Sequence, residues 1–64
     1  MKKEVIKTEN FNRGWQLQIV KDGKGFSIKL NQFNHEAKSW FRWTVELAET
    51  VFAQCKKELN LKPV

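Results

Sequence analysis

The sequence predicts an α+β domain in which a three-stranded antiparallel sheet packs against one long C-terminal helix, in the order β-β-β-α. Three observations carry this. Apolar and polar residues alternate through "WQLQIVKDGKGFSIKL", residues 15–30, around an Asp-Gly pair that favours a tight hairpin. Beyond residue 34 the apolar spacing changes to threes and fours. The chain has 64 residues, which fits one small domain spanning 1–64 with a single helix layer on the sheet.

The first strand is expected over residues 3–10, "KEVIKTEN", and "FNRG" turns it back onto the second, with Gly14 free to take a positive φ. A two-residue loop at Asn12-Arg13 puts Ile6 and Thr8 on the apolar face and turns Val5 and Phe11 outward. The second and third strands, 15–21 and 25–30, pair through a loop at Asp22-Gly23. Ile19 then opposes Phe26, Leu17 opposes Ile28 and Trp15 opposes Leu30 on one face. Gln18 opposes Ser27 and Gln16 opposes Lys29 on the other. Turn chemistry and apolar pattern select the same register.

The helix is expected over 35–59. Ala37, Trp40, Phe41, Thr44, Val45, Ala48, Val51, Phe52, Cys55 and Leu59 form its apolar stripe. Asn34 serves as N-cap, with Glu36 in the first turn and Lys56 and Lys57 near the C-terminal end of the dipole. Asn60 suits the left-handed position after the helix, and Pro63 stops continuation.

"SWFRW", residues 39–43, places three rings in five positions. On a helix, Trp40 and Phe41 lie within about 60° of the stripe centre and read as core. Trp43 falls about 120° away, with Leu47 between it and Trp40. The apolar arc then spans about 200°, wider than one sheet face covers. Trp40, Trp43 and Leu47 are therefore candidates for a partner or dimer interface, and a homodimer is expected. Phe11, beside Arg13, is a candidate for base stacking.

Composition narrows the chemistry. Cys55 is the only cysteine, so no internal disulfide forms, and with His35 it falls short of the four ligands a structural zinc needs. A lone cysteine and a charged N-terminus without an apolar segment point to a reducing, cytoplasmic setting. No apolar run is long enough to span a membrane. His35 reads as a helix-start residue and Cys55 as a small apolar core residue. "GKG" at 23–25 lacks the pattern of a phosphate-binding loop. No acid–base pair or metal cluster is evident, so neither an enzyme nor a cofactor is expected.

The net charge is +5, and residues 1–30 carry most of it, with seven Lys and Arg against three Asp and Glu. Such a field attracts an anionic partner. The sheet face opposite the helix presents Gln16, Gln18, Ser27 and Lys29, flanked by Lys7, Arg13, Lys21 and Lys24. Amides pair with base edges and ammonium groups with phosphates or guanine. The expected function is thus a small basic nucleic-acid-binding protein, with DNA first in view. The alternative is a protein-interaction or inhibitory module of the mobile-element type, acting through Trp43 and Leu47.

"GWQLQI…DGKGFSIKL" followed by "HEAKSW" resembles the arm-type, AP2-like DNA-binding module of phage-type tyrosine integrases over about residues 14–43. That resemblance implies three strands on a C-terminal helix, with the open sheet face in the major groove. It makes Gln16, Gln18, Ser27 and Lys29 base readers and Arg13, Lys21 and Lys24 backbone contacts. "GKGFSI" also resembles the last strand of the PC4-type single-strand-binding fold, which has four strands before its helix.

Overall fold

The computed structural model describes residues 4–64, so residue 3 of the expected first strand lies outside the described residues. The order is β1 (Glu4–Asn10), a short 3-10 turn (Asn12–Gly14), β2 (Trp15–Asp22), β3 (Gly25–Gln32), β4 (His35–Arg42) and α1 (Val45–Glu58). The strands form one antiparallel meander, β1-β2-β3-β4. The class is α+β with one C-terminal helix, as expected, but the sheet has four strands rather than three.

The additional strand replaces the first turns of the expected helix. Phe33 and Asn34 both take left-handed backbone, with φ of 50° and 67°. Gln32 pairs with His35 across them, so they form a two-residue loop with the type I′ pattern. Asn34 is therefore a turn residue and not a helix cap. Both roles suit asparagine, whose short amide tolerates left-handed backbone and also caps helices. Beyond the turn, Trp40 and Phe41 fall on opposite faces of β4, as consecutive strand residues must.

The helix starts ten residues later than expected. Thr44 is its N-cap, and its Oγ1 accepts a hydrogen bond from the Leu47 amide at 3.2 Å. Ala48, Phe52 and Cys55 are buried, with Val51 packed beside them, so the three-and-four spacing holds in the middle of the true helix, while Val45 and Leu59, expected on the same stripe, are exposed. The C-terminus closes as read. Asn60 is left-handed at φ 52°, the Leu61 amide donates to the Lys56 carbonyl at 3.0 Å, and the Asn60 amide donates to Lys57 at 3.3 Å. This is the paired Schellman closure, and it turns Leu61 into the core. The tail then returns to the β1–β2 connection, where the Asn12 amide donates to the Lys62 carbonyl at 2.9 Å.

Two registers differ from expectation. The β2–β3 loop is Gly23-Lys24, so Leu17 opposes Leu30 and Ile19 opposes Ile28, while Lys21 meets Phe26 and Trp15 meets Gln32. Gly23 has φ 65° and Lys24 is not left-handed, the pattern of a type II′ loop with glycine first. Each residue keeps its expected face, because this slip changes the sum of paired positions by two.

In β1 the register shifts between Val5 and Lys7. After that bulge Lys7 opposes Ile19 and Glu9 opposes Leu17, so both sit on the helix side. Thr8 opposes Gln18 on the other side. Continuing the alternation carries Phe11 into the core at 3% exposure, which overturns its outward placement and its stacking role.

Polar partners accommodate the polar residues on the helix side. Lys7 Nζ lies 4.6 Å above the Phe52 ring centroid. Glu9 Oε2 is shut off from water and has no hydrogen-bond partner among the described residues, but it is in ionic contact with Lys56 Nζ at 3.3 Å.

Candidate nucleic-acid interface

The core cluster of Phe11, Leu17, Ile19, Ile28, Leu30, Ala48, Phe52, Cys55 and Leu61 lies between the helix and one sheet face. Among the described residues no helix covers the opposite face. Register assigns it three cross-strand rows: Val5–Val20–Ser27–Phe41, then Thr8–Gln18–Lys29–Ser39, then Asn10–Gln16–Asn31–Glu36. Gln16, Gln18, Ser27 and Lys29 therefore share this face, as the sequence predicts.

The rows differ in chemistry. The last is an amide ladder. Gln16 Nε2 donates to Asn10 Oδ1 at 3.0 Å, and Asn31 Nδ2 donates to Gln16 Oε1 at 3.5 Å. In the middle row Gln18 Nε2 donates to Thr8 Oγ1 at 3.4 Å, and Lys29 occupies the centre of the sheet. The first row is apolar and aromatic. Val20, though on this side, is 5% exposed and stands outside the core cluster.

Phe41 is the main correction at the site. Read as core on a helix, it is a strand residue on the open face and is 41% exposed. Its ring lies over Gly25, where a Cβ would collide with it. Trp43, in the strand-to-helix connection and 67% exposed, meets the Phe41 ring edge-on at 5.0 Å between centroids. One signal in the sequence marks this pair: the glycine after the β2–β3 turn, which leaves room for a ring from the neighbouring strand.

The flanking cations are more scattered than expected. Lys7 belongs to the helix side, over Phe52, and so leaves the candidate site. Lys21 also faces the helix side, in the row Lys21–Phe26–Arg42 at the hairpin end, while Lys24 sits in the loop itself. Arg13 is exposed in the 3-10 turn with φ 59°, at the other end of the sheet. Lys29 shares the open face with two carboxylates, Asp22 and Glu36, and Ser27 Oγ donates to Asp22 at 3.4 Å. Of the expected cations, Lys29 alone lies within the face, and Arg13 and Lys24 sit in the turns at its two ends.

Trp40 opposes Ile28 and packs against the core. It also lines a groove of about 230 Å³ between β4 and the helix, together with Trp15, Leu30, Val51 and Cys55. Leu47 is exposed in the first helical turn. Trp40, Trp43 and Leu47 therefore do not form one helical arc, and the 200° stripe that motivated a homodimer loses its basis.

No protein family, curated protein or solved structure matches this chain. Among the described residues no three His, Cys, Asp or Glu side chains gather into a group able to hold a metal ion. Among them too, no helix is long and apolar enough to cross a membrane. Burial, followed by Glu58, pushes the Cys55 thiol above its ordinary pKa, while Lys38 opposes the shift.

Proposed function

We propose that this chain is a small, basic, non-enzymatic module that binds single-stranded nucleic acid on the open face of its sheet. The observation that carries this reading is the Phe41–Trp43 ring pair, in which Phe41 is seated on Gly25 in the row beside Lys29. Non-specific single-strand binders combine aromatic platforms with cations that track phosphates, and every base has a face to stack.

Width argues against the duplex reading. Four strands spaced about 4.8 Å apart span about 14 Å between outer axes. The major groove is about 12 Å wide and admits a helix or a two-stranded ribbon. Hydrogen bonding argues the same way. Gln16 already donates to Asn10 and accepts from Asn31, so reading a base edge would break an existing network. The strand count also equals that of the PC4-type fold, whose four strands precede its helix.

Fluorescence anisotropy with labelled oligothymidylate and a matched duplex, at two salt concentrations, tests the proposal. Micromolar or tighter binding to the single strand is expected, weakening steeply with salt as counterions are released. Trp43→Ala should weaken it by about 5- to 150-fold, the range for loss of one stacked base. Absence of single-strand binding at low salt would overturn the proposal, and so would a Trp43→Ala variant that binds like the parent.

The protein-interaction alternative retains one support, the exposure of Val45, Leu47 and Trp43 around the strand–helix joint. It predicts that Leu47→Ala, which leaves the sheet face untouched, abolishes partner capture while oligonucleotide binding is absent.

A further inference from the structure

We infer that Phe33 is a second stacking platform for the same nucleic-acid strand, at the far end of β3 from Phe41 and Trp43; this rests on the single-strand reading above. Phe33 is 67% exposed at the tip of the β3–β4 turn. Its amide donates to the Gly14 carbonyl at 3.1 Å, which continues the β2–β3 ladder past the Trp15–Gln32 pair. Its ring lies against Gly14 so closely that a Cβ there would collide with it. One side of the ring is thus braced by glycine backbone, and much of the residue is open to solvent.

Phe41 is held in the same way, on Gly25. The two glycine-seated rings mark opposite ends of β3: Gly25 begins the strand, and Phe33 follows its last residue. Eight steps at about 3.4 Å separate Gly25 from Phe33, a span of about 27 Å. Lys29 lies midway between them and Arg13 is exposed in the turn beside Gly14, so each half of the path has a cation, while Glu36, opposite Asn31, stands against it.

Phe33 is also a costly residue for its place. Its φ of 50° belongs to a region that asparagine and glycine enter readily and bulky residues rarely do. The other loop position, Asn34, carries the residue type that a type I′ turn favours. A phenylalanine held there against local preference is accounted for by a use for its ring.

The test compares Phe33→Asn, which removes the ring and suits the turn, with Trp43→Ala and the parent. Each is titrated with a trinucleotide, which reaches one platform only, and with a dodecanucleotide, which spans both. Phe33→Asn is expected to weaken dodecanucleotide binding by about 5- to 150-fold and to leave trinucleotide binding at the Trp43 end unchanged. Its melting temperature should equal or exceed that of the parent. If Phe33→Asn binds the dodecanucleotide like the parent while Trp43→Ala is weakened, the second platform is refuted and the single-strand reading stands. Equal weakening on both oligonucleotides would also refute it, as a general disturbance. If the parent binds neither, both proposals fall.

Discussion

Phe41 and Trp43 meet edge-to-face, ring centroids 5.0 Å apart and planes at 89°, on the side of the sheet that the helix leaves uncovered. Two residues apart in the chain, they come together because β4 ends at Arg42 and the chain turns toward the helix cap at Thr44. Binding and stability should therefore separate. Phe41→Ala should weaken oligonucleotide binding yet cost under about 1.5 kcal/mol in urea unfolding, the scale of one aromatic pair. Phe52→Ala, in the core beneath the helix, should cost about 3–5 kcal/mol. A loss from Phe41→Ala as large as that from Phe52→Ala would mean that Phe41 is core after all.

Lys29 and Lys7 make a matched pair of opposite expectation. Lys29→Glu should weaken single-strand binding uniformly across sequences and reduce the salt slope by about one unit, the mark of a lost phosphate contact. Lys7→Glu should leave the salt slope intact and instead lower stability by about 0.5–1 kcal/mol, through loss of its contact over Phe52. Anisotropy titrations over a salt series and thermal melts of both variants check this.

Glu36 lies on the open face opposite Asn31, where it would repel a phosphate chain passing along β3 under the proposed function. Glu36→Gln should tighten binding, with the gain largest at low salt, where screening is weakest. A titration in which this variant binds more weakly than the parent would place the strand elsewhere.

Cys55 couples folding to pH. Its thiol pKa is raised in the fold, chiefly by burial, so the folded state holds the proton more tightly than the unfolded chain does. The associated stability is fully present below the unfolded thiol pKa of about 8.5 and is lost as pH rises through the folded value. Denaturant midpoints should therefore fall on the alkaline side of about pH 8.5, and the slope should flatten in Cys55→Ala. Reaction of the thiol with a maleimide should be slow in the folded protein at neutral pH.

Much of the fold was legible because faces follow from alternation. Leu17, Ile19, Ile28 and Leu30 are the sheet's contribution to the core, and Gln16, Gln18, Ser27 and Lys29 share the open face. Three features were not legible. A period of two cannot distinguish registers that keep every residue on its face, so Asp22-Gly23 and Gly23-Lys24 were equivalent loops by pattern. The bulge after Val5 leaves no composition signal, yet it decides that Phe11 rather than Ile6 enters the core. Asn34 fits a helix cap and a left-handed turn equally well. With the cap reading, Trp40 and Phe41 fall on one helix face, and with the turn reading they part to opposite sides of a strand. That single choice concealed the Phe41–Trp43 ring pair.

The most direct test of the central claim is amide and indole chemical-shift mapping of the isotope-labelled protein during titration with oligothymidylate. Shifts are expected at Gly25, Ser27, Lys29, Phe41 and the Trp43 indole, with Ala48, Phe52 and the helix-side residue Lys7 unmoved. Shifts confined to Val45, Leu47 and the exposed helix surface, or none at saturating oligonucleotide, would contradict it.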